Sequence, residues 1–147
     1  MPLRPTTCLA LCLIFLTAQA HADGAAAIKQ GQRLWQQRCT DCHALDTDET
    51  GPRHRGVFGR RAGSIKGYDY SRALKRSQVT WDARSLDRWL TDPEQFIPGQ
   101  NMDFKVSNAS ERAALIVYLQ SLSGPGVGKP FTEPVQTPRA APGKLRR

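Results

Sequence analysis

The sequence predicts an all-α domain of three main helices joined by short helices and loops. Three observations carry that reading. Apolar residues recur at helical spacing in three segments, each opened by a capping residue. The longest connection, residues 46–70, is dense in glycine and has the character of irregular chain wrapped on something, not of a strand ladder. The pentapeptide Cys39-Thr40-Asp41-Cys42-His43 follows directly on the first helix and supplies that something.

The first helix spans roughly Gly24 to Arg38, with Asp23 as its N-cap. Ile28, Leu34 and Trp35 share one face, and Gly31, one turn before Trp35, leaves room for another helix to approach. A short helix is expected from Ser71 to Arg76. The second main helix runs from Ala83 to Thr91, with Asp82 as N-cap and Leu86, Trp89 and Leu90 as its apolar face. Asp92-Pro93 ends it. Residues 94–107 read as a second loop, containing Pro98-Gly99 and Met102. The last helix runs from about Ala109 to Leu122. Asn108 followed by Glu111 resembles a capping box, and Ala114, Leu115, Tyr118, Leu119 and Leu122 form the expected buried stripe. Ser123-Gly124-Pro125 stops it.

Two thiols three residues apart and a histidine next to the second form the attachment pattern of a c-type haem. Both sulfurs lie on one helical turn, where they can bond the two vinyl groups on one porphyrin edge. His43 then offers its imidazole to the iron as proximal ligand. Other uses of Cys-x-x-Cys fit less well. A redox-active dithiol expects a strand before it, and here a helix precedes. Structural zinc takes four protein ligands, and no second cysteine pair exists outside the N-terminal segment. A disulfide would strain a four-residue loop and leave His43 without a purpose.

Residues 1–22 read as a cleavable secretory signal. Arg4 supplies the positive region, residues 8–16 the apolar run, and cleavage after Ala20 or Ala22 fits the small-residue rule, with Ala22 favoured. The run is far shorter than the ~20 residues of a membrane span. Export places the mature protein in the periplasm, where c-type haem is attached. Cys8 and Cys12 leave with the signal, so no cysteine remains for a structural disulfide. One small haem domain, 23–123, follows, and 124–147 form a Pro/Gly-rich basic tail that reads as disordered, with a tether or docking arm as the alternative. The thin core of so small a domain depends on its cofactor, and the haem-free chain is expected to be largely unfolded.

The formal charge is +8, or +7 without Arg4. Four of these units sit in the tail. A second concentration comprises Arg53, Arg55, Arg60, Arg61, Lys66, Arg72, Lys75 and Arg76, against the single acid Asp69. In an exported protein this excludes nucleic acid as the natural partner. It is either a solvated face or a docking face for acidic redox proteins, whose encounter it would speed and salt would slow.

Met102 is the only methionine after the initiator, on the polar loop Ile97-Pro98-Gly99-Gln100-Asn101-Met102, where core filler is not expected. A thioether opposite His43 would raise the potential of the haem and occupy the second axial position, making electron transfer the default function.

The chain resembles the class I cytochromes c, the soluble single-haem carriers of bacteria and mitochondria. The resemblance covers Gly31 to Leu122. It rests on Gly31 and Trp35, the haem pentapeptide, Gly51-Pro52, the run Gly56 to Arg60, Gly67 to Tyr70, Thr80-Trp81, Trp89-Leu90, the Pro98-Gly99…Met102 loop, and Glu111 to Leu119. It implies three main helices plus short helices and loops wrapped around one covalently bound haem c. Cys39 and Cys42 would carry the thioether bonds; His43 and Met102 would be the axial iron ligands. The Pro52 carbonyl would accept a hydrogen bond from His43. Arg60, Tyr70 and Trp81 would surround the propionates, Trp89 would pack on the haem, and Gly31, Trp35, Leu115 and Tyr118 would join the first and last helices. Some positions depart from the mitochondrial pattern. Leu74 replaces an asparagine, Gln100-Asn101 replaces Thr-Lys, and the segment Lys105 to Ser110 is about one residue short. His54 stands where an apolar residue usually packs beside the proximal histidine, and is expected to be a hydrogen-bonded histidine near the surface.

The expected function is a periplasmic electron carrier, not an enzyme. It would be a monomer that meets membranes only through partners: a quinol–cytochrome c reductase, a terminal oxidase or a periplasmic dehydrogenase, acidic at the docking face. The alternatives are a dedicated haem subunit of one periplasmic oxidoreductase complex, and a haem sensor or peroxidase from which Met102 departs.

Overall fold

The computed structural model describes residues 24–124. The signal segment, Asp23 with its cap, and the tail beyond Gly124 lie outside the described residues. Helix α1 covers 24–38. It is followed by α2 (Arg72–Arg76), α3 (Ala83–Thr91), α4 (Pro93–Phe96) and α5 (Ala109–Ser121). Among the described residues there is no strand, only an isolated antiparallel bridge between Arg61 and Thr80.

Short side chains at the helix starts explain why the helices begin where they do. Ser71 caps α2 rather than belonging to it, its hydroxyl accepting from Leu74 N–H at 3.2 Å. Asp82 and Ser85 form a reciprocal capping box on α3: the Asp82 carboxylate accepts Ser85 N–H at 2.7 Å, and Ser85 Oγ accepts Asp82 N–H at 2.8 Å. A cap of this kind contributes about 1 kcal/mol. Asn108 Oδ1 accepts from Ser110 and Glu111 N–H on α5. The Glu111 carboxylate does not complete that box. It reaches across to Arg38 Nη2 at 2.9 Å and so ties the end of α1 to the start of α5.

Three further details differ from the sequence reading. Pro93–Phe96 is helical, not loop, because Pro93 sits at the first helical position, where its missing N–H has no partner to lose. Asp92, which ends α3, caps this next turn by accepting Gln95 N–H at 3.1 Å. Ile28 is 36% exposed, since the residues before Gly31 are nearly all in solvent and give it nothing to pack on. On α5, Arg112 and Ile116 join the buried set while Leu122 becomes the half-buried C-cap.

The core lies between α1, α3, α5 and the loop chain. α3 packs on both α4 and α5. Trp35 of α1 meets Tyr118 of α5 at 6.1 Å between ring centroids. Gly31 is held so close to α5 that an added Cβ would lie 2.0 Å from the Ala114 carbonyl oxygen and 2.7 Å from Tyr118 Cβ. The glycine-rich loop contributes Val57, Phe58, Ala62 and Ile65 to the interior, so it is wrapped chain, as its composition implies. Leu74, the replacement for asparagine, packs half-buried against the core.

Candidate haem site

The pentapeptide continues the helical path of α1 for one more turn. Cys39 N–H donates to Trp35 C=O at 2.9 Å, and His43 N–H donates to Cys39 C=O at 2.8 Å. Cys39, Cys42 and His43 therefore stand on one turn. Both thiols are free; Cys39 is half-buried against the core and Cys42 is exposed. Burial pushes the Cys39 thiol up to about 11. An attacking cysteine of a dithiol oxidoreductase needs a depressed value instead, so this thiol is unsuited to that role.

The next stretch of chain folds back alongside the motif. Gly51 N–H donates to Cys42 C=O at 2.7 Å, His54 N–H to Ala44 C=O at 3.0 Å, and Arg55 N–H to Leu45 C=O at 2.8 Å. Two exposed ion pairs close the intervening loop, Arg53–Asp48 at 2.7 Å and Arg55–Asp46 at 2.5 Å. The fold-back delivers the Pro52 carbonyl to His43 Nδ1 at 2.8 Å. A carbonyl only accepts, so Nδ1 carries the proton and Nε2 keeps its lone pair for a metal. Burial lowers the basicity of this imidazole, opposed by the Pro52 bond. Gly51 is required beside it: a Cβ there would lie 2.2 Å from His43 Cε1.

His54 is the hydrogen-bonded histidine expected, half-buried on the His43 side. Its ring lies against His43, with centroids 4.0 Å apart and planes at 22°, and its Nδ1 accepts from Trp35 Nε1 at 2.8 Å. The fold-back of 51–55 on the motif carries the ring inward.

Met102 is half-buried against the same core that Cys39 touches. The chain reaches it through a turn in which Gln100 N–H donates to Ile97 C=O at 3.3 Å and Gly99 takes φ +84°, a backbone value that favours glycine. Glu94 of α4 accepts Gly99 N–H at 3.0 Å, and Gln100 Oε1 accepts Met102 N–H. The replacement Gln100 thus braces the methionine. Beyond it, Val106 is fully buried and donates its N–H to Leu90 C=O at 2.7 Å.

The remaining expected haem neighbours fall into two groups joined by backbone. Arg60 and Trp81 are brought together where Trp81 N–H donates to Arg60 C=O at 2.9 Å. Arg60 is half-buried, and its guanidinium donates to the carbonyls of Arg53 at 2.7 Å and Arg55 at 3.1 Å, so it is no loose surface charge. Tyr70 is buried, and burial raises its hydroxyl's value, with Arg60 acting against that rise. Trp81 and Trp89 meet edge-on at 5.3 Å. Sequence reasoning did not anticipate three contacts: the His54–His43 stack, the brace from Gln100, and the buried Arg112. His54 left a signal, as a polar residue where an apolar one packs beside the proximal histidine, and Gln100 another, as a replacement before the methionine; Arg112 left none.

This donor set fits a covalent haem. It offers two unpaired thiols on one turn, an imidazole whose proton is fixed on the nitrogen away from the metal, and a thioether on the same core. A zinc centre has no such support, since among the described residues no three His, Cys, Asp or Glu side chains gather.

Comparison with known proteins agrees. The family model for cytochrome c matches residues 28–123. Cytochrome c 2.1 of Caenorhabditis elegans is 39% identical over 99 residues, covering 65% of this chain and 89% of that protein. Cytochrome c type-1 of Ascaris suum is 39% identical over 95 residues, covering 63% and 85%. Among solved structures, cytochrome cH from Methylobacterium extorquens superposes with a TM-score of 0.60 at 36% identity, covering 63% of this chain and 96% of that one. With the family model matched over residues 28–123, the chain belongs to the cytochrome c family: it has the all-α class I fold, binds haem c covalently and transfers electrons.

Proposed function

We propose that the chain is an exported, periplasmic electron carrier in which Cys39 and Cys42 form the thioether bonds and His43 and Met102 are the axial ligands. The observation that carries this reading is the 2.8 Å contact between His43 Nδ1 and the Pro52 carbonyl. It fixes the tautomer in which Nε2 is the metal-binding nitrogen and orients the ring. When bound, the haem supplies a one-electron Fe(II)/Fe(III) couple.

The rest is done by the chain. Gln100 and Glu94 hold the Met102 segment on one side, and the buried Val106 anchors it on the other. A segment fixed at both ends favours a permanent ligand, and with it a carrier rather than a sensor or peroxidase. Trp81 and Trp89 supply an apolar wall that excludes water. Arg60, with Tyr70 near it, is the polar counterpart for the propionates, which are costly to bury without partners.

Arg53, Arg55 and Lys75 are each matched by a neighbouring aspartate. Lys66, Arg72 and Arg76 are exposed and make no ion pair among the described residues. These three are the charges free to meet an acidic redox partner, such as a quinol–cytochrome c reductase, a terminal oxidase or a dehydrogenase.

A potentiometric titration followed by optical spectroscopy tests the reading. A low-spin ferric spectrum with a methionine-to-iron charge-transfer band, and a single reversible one-electron wave, is expected. A high-spin ferric spectrum at neutral pH would overturn it.

A further inference from the structure

Two constraints on His43 are already evident: the bond to Pro52 and the absence of a side chain at Gly51. Neither fixes the plane of the ring. A single hydrogen bond at Nδ1 still allows the imidazole to tilt about the line through that bond. A third element lies flat against it.

The His54 ring is stacked on His43 with centroids 4.0 Å apart and planes at 22°. An alkyl side chain could fill the same space, but it would have no plane to impose. His54 has one, and that plane is held by the edge of the Trp35 indole, whose ring lies 6.1 Å away with planes at 60°, as well as by a hydrogen bond. Trp35 Nε1 donates to His54 Nδ1 at 2.8 Å. An indole N–H only donates, so Nδ1 of His54 is the accepting nitrogen and the ring is neutral, with its proton on Nε2. The backbone beneath the ring is pinned twice: His54 N–H donates to Ala44 C=O, and Val57 N–H donates to His54 C=O, both at 3.0 Å. Trp35 is in turn packed on Tyr118 of α5. The ring is thus referenced to the junction of α1 and α5.

We infer that Trp35 and His54 are positioning residues for His43: the indole sets the plane of His54, and the stacked His54 ring sets the plane of the proximal imidazole. This rests on the reading of His43 as an iron ligand. Partners of this kind orient a ligating histidine and thereby tune the metal it holds. The device belongs to this chain's own residues, because it needs an indole donor at 35 and a planar acceptor at 54 together.

The test uses the full haem-loaded protein and three variants: Trp35→Phe, which keeps a ring but removes the donor; His54→Leu; and the double variant. The readout is the pattern of hyperfine-shifted haem methyl resonances in the ferric protein, which reports the orientation of the axial imidazole. Both single variants are expected to retain covalent haem and the methionine charge-transfer band, yet to change the spread and order of the methyl shifts. The double variant is expected to match His54→Leu, since the indole acts only through His54. Methyl patterns superimposable on wild type, with only the thermal midpoint lowered, would overturn the inference and leave the pair as ordinary packing. If His54→Leu does not accumulate, Trp35→Phe alone decides. Wild-type spectra without a low-spin histidine-ligated iron would remove the premise, a failure distinct from an unchanged pattern in variants.

Discussion

Nη1 of Arg112 donates to the carbonyl of Val106 at 2.9 Å, and this one contact joins the last helix to the segment that carries Met102. Arg112 is only 6% exposed although it is charged. The same Nη1 reaches the Ser107 carbonyl at 2.9 Å, and Nε donates to Asp87 of α3 at 2.7 Å. α3, α5 and the chain after Met102 share this junction. A guanidinium is tolerated there because its donors are matched by a carboxylate and two carbonyls.

Arg112→Met should therefore be costly. It removes the cation, leaves the half-buried Asp87 without its partner, and frees two carbonyls at the end of the Met102 segment. Breaking a buried pair on one side typically costs about 3–5 kcal/mol, and the upper part of that range is not expected here because Asp87 retains some solvent access. Denaturant unfolding of the haem-loaded protein measures the loss. The methionine charge-transfer band should weaken at denaturant concentrations below the global transition. A loss under about 1 kcal/mol, typical of an exposed pair, would contradict the junction.

Gly51→Ala should disturb the iron environment more than the fold. The added Cβ would sit 2.2 Å from His43 Cε1 and 2.5 Å from Nδ1. Either the ring or the backbone of Gly51 must move, and the Gly51 N–H bond to Cys42 C=O resists the second. The imidazole is expected to rotate away from Pro52. A lowered yield of low-spin ferric protein, or a shifted midpoint potential, reads this out. Spectra and potential equal to wild type would show that the loop yields instead.

The helices were legible because their signals are local. Asp82, Asn108 and Ser71 announce helix starts, and spacing alone selects Trp35, Leu86, Leu115 and Tyr118 as core. Pro93 was harder, since the residue that ends one helix also opens the next, and the two roles differ only in what Asp92 caps. The attachment turn was legible because its chemistry is sequential. What escaped is long-range and polar. A lone arginine on an amphipathic helix resembles any surface charge, and nothing near Arg112 in sequence points to Asp87, 25 positions away. The stack of His54 on His43 likewise depends on a fold-back whose register only the backbone pairing of 42–45 with 51–55 defines.

Met102→Ala removes the only thioether among the described residues. The midpoint potential is expected to fall, because a soft sulfur ligand favours the ferrous state. Added imidazole should then bind the ferric protein, seen as a change in the visible spectrum. An unchanged potential, with no binding of added imidazole, would mean that another side chain holds the iron.

Acid should loosen the approach to Met102 in a way Asp92 controls. Its carboxylate accepts from Lys105 Nζ at 2.8 Å and from Gln95 N–H at 3.1 Å. The Lys105 bond first, and the Gln95 N–H second, hold it below the ordinary carboxylate value. A depressed folded value means the unfolded chain binds this proton more readily. The contribution is therefore fully present above about pH 4, where a free aspartate is ionised, and is lost as pH falls through the folded value. Asp92→Asn keeps the capping oxygen but not the charge. Thermal midpoints of the two proteins should differ by a constant amount from pH 7 to pH 5 and converge at lower pH. A gap as wide at pH 3 as at pH 7 would assign the effect to the cap and not the ion pair.

Partner encounter provides the last expectation. Of the cationic residues between Arg53 and Arg76, three are spent on local aspartates, and Arg60 and Arg61 donate to backbone carbonyls. Lys66, Arg72 and Arg76 are exposed and held by neither kind of partner among the described residues, so their side chains are free to reach an acidic surface. Reversing all three to glutamate, remote from the haem turn in sequence, should leave the potential and the charge-transfer band unaltered. It should slow association with an acidic redox partner by roughly 10-fold or more at low ionic strength. The deficit should shrink as salt rises, because the Debye length falls to about 8 Å at physiological ionic strength. Reversal of Arg53, Arg55 and Lys75 changes the net charge by the same amount but should have a smaller effect on association, since those side chains are held by local aspartates and are not available to pair with a partner. Stopped-flow electron transfer from each reduced variant to one acidic acceptor, across a salt series, separates the two sets. Equal deficits for both would show that net charge alone, and not the free cations at 66, 72 and 76, governs the encounter.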